Sequence, residues 1–265
     1  IRLVRSMPRL REELDLTAAL GRSYPKLSLP APMPTPHGPR VAVFDGGTAQ
    51  AFGSHVVELA ASGLPPAAVG DLTHGVNVTS ALLFGPVDPK QGILPTPPWA
   101  VEHHRVLPTT DSPEQALDVL DRIVTALRSA RTAGRPYRFA NISLGPVATF
   151  FDDDIHEWTS RLDTELADGS TLCTAAIGNN GALGGELGRI QPPGDAVNVF
   201  AIGAADTRRK KWNRAPYSAT GPGRSPGFVK PDVVAFGGSN GEPLPVYSPL
   251  AGGVVAVGGT SFASP

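Results

Sequence analysis

Short, β-rich apolar runs recur along this chain with helical stretches between them, and that alternation constrains the fold more than any other feature. The runs are VAVFD (41–45), VEHHRVL (101–107), FANISLG (139–145), TLCTAAIG (171–178), VNVFAIGA (197–204) and DVVAF (232–236). Near-continuous apolar strands separated by helix-length segments are the pattern of a mainly parallel sheet with helices on both faces, an α/β fold. The clearest helix is SPEQALDVLDRIVTALRSARTAG, where Ser112 is placed as cap, Pro113 fits the first position, Gln115 closes a capping box and Gly134 is the stop. Ala116, Leu117, Leu120, Ile123, Val124 and Leu127 recur at helical spacing and form its expected buried stripe. A second helix is expected from Asp154, with Asp154 and Glu157 as a capping box and Trp158, Leu162 and Leu166 at helical spacing. A third is expected to begin at or near His74, capped by Asp71 or Thr73, and to become strongly apolar through Val78, Ala81, Leu82 and Leu83.

The chain has 265 residues, room for one large α/β core. Its formal charge is −1, with Arg scattered among Asp and Glu, so no basic field implies a nucleic-acid or anionic-membrane partner. No apolar stretch approaches the ~20 residues that cross a bilayer, and no signal peptide is visible, which favours a soluble, cytoplasmic chain. It begins at Ile1, so a targeting segment upstream would be invisible. Cys173 is the single cysteine; its apolar neighbours suggest a buried hydrophobe, and no internal disulfide is available. Residues 1–39 read as an N-terminal extension, with a weak helical pattern near Leu10 to Leu20 and a linker at 30–39, where closely spaced prolines can continue neither helix nor central strand. Residues 40–265 read as the folded domain.

Ligand and catalytic groups in open parallel sheets gather beyond the carboxyl ends of the strands. Asp45 ends the first strong strand and is followed by Gly46 and Gly47, which permit a sharp turn; a plain strand-to-turn aspartate is as good a reading of it alone. His74 stands in THGVNVTS at a helix start, where an isolated histidine is more often structural. Ser261 lies in GGTSFASP, and Asn179 follows the buried strand of AAIGNNG. Acyl transfer needs a serine oxygen, an imidazole to take its proton, a carboxylate to fix the imidazole's tautomer, and a donor for the oxyanion. Asp45, His74, Ser261 and Asn179 supply these types.

VAVFDGG, THGVNVTS, NISLG, AAIGNNG and GGTSFASP, in that order, resemble the signature segments of the subtilisin-like serine peptidases, over residues 41–265. The resemblance implies a serine endopeptidase with Asp45 as orienting carboxylate, His74 as general base and acid, Ser261 as nucleophile and Asn179 as oxyanion donor, acting on polypeptides through an acyl-enzyme. It also implies that Ser143, Leu144 and Gly145 line the primary specificity pocket, with Ala176, Gly178, Asn180 and Gly181 in its other wall. KPDVVAFG (230–237) and YSATGPG (217–223) look like further family segments. SALLFGP and VEHHRVL resemble bacterial intracellular subtilases encoded beside AAA ATPases, which implies an AAA ATPase partner.

The chain departs from the family pattern in places. Gly46 stands where Ser or Thr is usual, so one hydrogen bond to Asp45 is expected to be missing, and Val76 and Asn77 replace the usual Thr and His after His74-Gly75. LLFGPVDPKQG holds one carboxylate where the family's calcium loop is acidic, and no metal or other cofactor is expected. The acidic cluster FDDDIHEW suits a helix N-terminus better than a metal site, and His103 and His104 should point to opposite faces of their strand. RRKK (208–211) reads as a solvated loop, and the Asn141-Ile142-Ser143 acceptor motif lies in an expected buried strand. One X-Pro bond at Pro192-Pro193 is expected to be cis. VFDGGT lacks the second aspartate of a haloacid-dehalogenase phosphatase, and VAVFDGGTAQ lacks the G-x-G-x-x-G of a dinucleotide site. A pseudoprotease scaffold is the non-enzymatic alternative; keeping nucleophile, base, acid and donor together argues against it. The chain stops at Pro265, in the first turn of the expected nucleophile helix, so the domain is expected to be truncated there and inactive as a free polypeptide.

Overall fold

Strand β2 (Arg40–Asp45) sends Val41 and Val43 to one side and Ala42 and Phe44 to the other, and all four are buried. A strand apolar on both faces has to lie inside a sheet covered twice. The computed structural model describes residues 14–15, 27–31, 39–108, 113–148, 152–224 and 229–265. Beside β2, its strands in chain order are β1 (Leu14–Asp15), β3 (Val56–Ala60), β4 (Ala100–Arg105), β5 (Phe139–Ile142), β6 (Leu172–Ala176), β7 (Val199–Ala205), β8 (Val233–Phe236), β9 (Leu244–Ser248) and β10 (Gly253–Gly258). Its helices are α1 (Val69–Phe84), α2 (Pro113–Thr132), α3 (Glu157–Leu166) and the short α4 (Thr260–Ala263). Seven strands form a parallel sheet in the order β3-β4-β2-β5-β6-β7-β8, and β1, β10 and β9 form a small antiparallel sheet.

The two faces of β2 meet different cores. Ala42 and Phe44 pack with α2 and α3, including Leu120, Ile123, Trp158 and Leu162. Val41 and Val43 pack with Val76 and Val78 of α1, Phe262 of α4 and the β9–β10 hairpin. Burying one such aliphatic or aromatic side chain contributes about 1.5–3 kcal/mol. The stripe of α2 is buried as expected at Ala116, Leu120, Ile123, Val124 and Leu127; Leu117 is half-buried, and Val119 and Ala130 join it. The placement of Ser112 and the side chain of Gln115 lie outside the described residues.

Several boundaries differ from expectation for local reasons. Helix α3 starts three residues after Asp154, because His156 caps it: its Nδ1 accepts the Trp158 N–H at 3.2 Å. Helix α1 starts at Val69, more than a turn before His74, and has no side-chain cap. Asp71 complements the helix dipole from within the first turn, and the Thr73 hydroxyl donates back to the Val69 carbonyl. Within the expected N-terminal helix, Leu14 and Asp15 instead pair with Gly258 and Val257 of β10, and its other residues lie outside the described ones, as do 32–38 of the linker. Leu27, ahead of the linker, belongs to the core beside α1. The Pro192-Pro193 bond is cis, as are Gly221-Pro222 and Lys230-Pro231. Cys173 is fully buried, and burial pushes its thiol up to about 12. Among the described residues no helix is long and apolar enough to cross a membrane.

Candidate active site

Asp45 is the last residue of β2, has the parity of Val41 and Val43, and therefore faces α1. Helix α1 crosses this end of the sheet in backbone contact with the turn after Asp45. A Cβ on Gly75 would sit 2.2 Å from the Gly47 carbonyl oxygen, and one on Gly46 would sit 2.3 Å from the Asp71 carbonyl oxygen. Glycine is required at both places. The early start of α1 thus explains Gly46: with Asp71 already helical, no side chain fits after Asp45.

This contact brings His74 to Asp45. The His74 Nδ1 lies 2.7 Å from Asp45 Oδ1, which also accepts the Gly46 N–H at 2.7 Å. Among the described residues Asp45 Oδ2 is buried with no hydrogen-bond partner, in keeping with the bond expected to be missing. A carboxylate on Nδ1 holds the imidazole in the tautomer whose Nε2 carries no proton.

Ser261 sits in α4, which opens directly after β10 through Gly259. Its neighbour Phe262 places its ring 5.7 Å, centre to centre, from the His74 imidazole. The Ser261 hydroxyl donates to the Ser143 carbonyl at 3.0 Å, and the Ser143 hydroxyl lies 2.8 Å from the Ser261 carbonyl. The segment after β5 and the turn carrying Ser261 are therefore joined at both ends. Asn141 adds to this: its Nδ2 donates to Ser264 Oγ at 3.1 Å, deep in the core.

Asn179 meets the same turn at Thr260, the residue before Ser261. Its Oδ1 accepts both the Thr260 N–H at 2.9 Å and the Thr260 hydroxyl at 3.0 Å, and that hydroxyl in turn accepts the Gly178 N–H at 3.2 Å. With the carbonyl oxygen taken, the amide presents Nδ2 as its donor. Thr260 was not singled out in the sequence, although it stands directly before Ser261.

Of the residues expected to line a specificity pocket, Ser143 and Gly178 bond to this turn. Ser143, Leu144, Gly145, Ala176, Gly178 and Gly181 are buried, and Asn180 is half-buried. Asn180 turns its Nδ2 to the Leu187 and Arg189 carbonyls, and the Gly181 N–H donates to the Tyr217 carbonyl at 2.7 Å. These bonds fix the loop 181–189 to the body of the domain. A cavity of about 440 Å³ lies elsewhere, between β3, β4 and α2. The acidic cluster is spent on structure: His156 caps α3 and Asp152 pairs with Arg189 at 3.1 Å.

His103 and His104 do point to opposite faces. His104 stacks on Phe44 and its Nε2 lies 2.8 Å from the Tyr137 hydroxyl, which donates to Glu102 at 2.6 Å. His103 lies behind Asp45, fully buried, and burial brings it down to about 4 against the opposing pull of Asp45 and Glu58, so it is neutral.

A parallel sheet with helices on both faces, and polar groups gathered where β2, α1 and α4 meet, define a subtilisin-like α/β protein. Residues 49–265 match the subtilase family, and the chain belongs to that family of serine proteases. Over 108 residues it is 37% identical to the membrane-bound transcription factor site-1 protease of Mus musculus, a stretch covering 38% of this chain and 9% of that protein. The same values hold for the protein of that name from Rattus norvegicus. Among solved structures, a mutant of the protease domain of PatA is 23% identical with a TM-score of 0.60, over 88% of this chain and 78% of that one. Sphericase is 20% identical with a TM-score of 0.62, over 100% of this chain and 82% of that one. These two likenesses show the fold.

Proposed function

We infer that the chain is a serine endopeptidase acting on polypeptides, with Asp45, His74 and Ser261 as its triad and Asn179 as oxyanion donor. The observation that carries this is the 2.7 Å contact between His74 Nδ1 and Asp45 Oδ1, made between residues from different elements. On substrate binding the Ser261 hydroxyl turns from the Ser143 carbonyl to His74 Nε2, and its oxygen attacks the scissile carbonyl carbon as the proton passes to the imidazole. The negative oxygen then accepts from Asn179 Nδ2 and the Ser261 N–H. The imidazolium gives its proton to the departing amine as the C–N bond breaks, leaving an ester on Ser261. Water, losing its proton to the same imidazole, hydrolyses that ester. Ser143, Leu144, Gly145 and the wall Ala176–Gly181 hold the residue before the scissile bond. We extend the reading to a domain boundary near residue 40 and to an AAA ATPase partner, which co-purification with the tagged protein tests.

The protein should be labelled at Ser261 by a fluorophosphonate probe and should cleave a broad peptide substrate. Neither labelling nor cleavage would reject the proposal in favour of a binding scaffold.

Asn179→Ala should lower kcat by about two to three orders of magnitude, the scale that loss of such a donor has in subtilisin, with KM nearly unchanged. The donor acts on the oxyanion, which exists only along the reaction path. A kcat within about twofold of the parent, measured under saturating substrate, would remove Asn179 from the oxyanion site.

A further inference from the structure

The turn that follows Asp45 is held from behind by two side chains on neighbouring strands. Glu58 of β3 and His103 of β4 stand directly side by side in the sheet, and His103 is level with Val43 of β2. Glu58 Oε2 accepts the Thr48 N–H at 3.1 Å, the Thr48 hydroxyl at 2.7 Å and the Gln50 N–H at 3.0 Å. These bonds anchor a tight turn in which Ala49 and Gln50 both take positive φ, 50° and 56°. Burial alone raises the Glu58 carboxyl, but the Thr48 hydroxyl and the Gln50 and Thr48 N–H groups outweigh it and hold the group below its usual range. It remains charged where the turn needs an acceptor.

His103 reaches further. Its Nε2 accepts the Gly47 N–H at 3.0 Å, so that nitrogen carries no proton. In a neutral imidazole the proton is then on Nδ1, which lies 2.8 Å from Thr79 Oγ1 and donates to it. Thr79 is on α1, more than a turn beyond His74, and is buried. One side chain therefore grips the turn of the carboxylate and the helix of the base at once. It does so where glycines bring the two backbones into contact.

We propose that His103 is a positioning residue for the triad, a neutral imidazole of fixed tautomer that clamps the Gly46-Gly47 turn to helix α1 and so sets the angle between Asp45 and His74. The proposal rests on the triad reading above. It touches no substrate; it acts through Asp45 and His74. Outer partners of this kind matter because misplacing a reacting group by about 1 Å can cost about 100-fold in rate.

The test compares His103→Ala, His103→Gln and Thr79→Val in the full-length protein. Gln can accept at one amide atom and donate from the other, as this imidazole does, whereas Thr79→Val keeps the shape of α1 and removes only the acceptor. Two readouts are taken: kcat and KM on a peptide substrate, and the NMR titration of the His74 imidazole. His103→Ala should lose about 100-fold in kcat with KM little changed. The His74 titration should fall by about one unit as its bond to Asp45 loosens. Thr79→Val should move both readouts the same way by less, and His103→Gln should recover most of both. If His103→Ala does not fold, Thr79→Val against the parent decides the matter. Unchanged kcat and His74 titration in Thr79→Val, or Gln no better than Ala, would overturn the proposal. An inactive parent would defeat the peptidase reading instead, and the His74 titration would still decide the clamp.

Discussion

Ser261→Ala should lower kcat on a peptide substrate by about six orders of magnitude, the loss that removal of the nucleophile causes in subtilisin, with KM within about twofold. The Ser261 hydroxyl makes one contact that the substitution deletes, its bond to the Ser143 carbonyl, while the Ser143 hydroxyl still reaches the Ser261 carbonyl through the backbone. Stability should therefore change by no more than about 1 kcal/mol, the net worth of one hydrogen bond. The side chain is buried in α4, and the smaller Ala fits there. What remains should be the slow hydrolysis promoted by the oxyanion donors and binding alone. Fluorophosphonate labelling followed by mass measurement reads the same change, and residual turnover above about one per cent of the parent would assign the nucleophile to another residue.

Asp45→Asn should cost about four orders of magnitude in kcat, the scale that loss of the triad aspartate has in subtilisin, and the geometry says why the loss is electrostatic. Oδ1 accepts from both Gly46 N–H and His74 Nδ1, so an asparagine that serves Gly46 has to keep its oxygen there. The His74 tautomer is then retained, but the negative charge that stabilises the imidazolium is gone. The amide nitrogen falls at the buried Oδ2 position, which has no partner among the described residues, and an unpaired donor there costs about 1–3 kcal/mol of stability. The variant should thus be both slow and less stable, and the two are separable by kcat at saturating substrate and by a melting curve. A kcat within about tenfold of the parent would show that the carboxylate charge is not used.

Six of the seven strands of the parallel sheet were legible in the sequence, and the four from its middle most plainly. β2, β5, β6 and β7 carry near-continuous apolar runs because helices cover each face, and such runs stand out against polar helix surfaces. β3 escaped notice because it is an edge strand whose residues after Val56 are largely exposed, so VVELA carries no strong apolar signal. The β9–β10 hairpin escaped because Pro245 and the glycines at 252 and 253 read as loop, and its stability comes from packing on α1 and on β1. The start of α1 differs from expectation for a related reason. Asp71 is a good cap in isolation, but the helix continues past it because its first turn lies against the Gly46 backbone.

Residue types and their order were enough to nominate Asp45, His74, Asn179 and Ser261 as candidates, because such chemistry is written in short local segments. The distances between them are not local. The Asp45–His74 contact depends on two glycines that let α1 meet the turn after β2, and Asn179 is oriented by Thr260, 81 residues away. His103 shows the limit most clearly: in the strand it is one of two adjacent histidines of equal standing, and nothing local separates them. The pleat alone sends one toward α1 and the other toward Tyr137. A pattern of side chains records which groups are available, whereas a hydrogen bond between segments far apart in the chain exists only after the sheet order and the close backbone approach have been set.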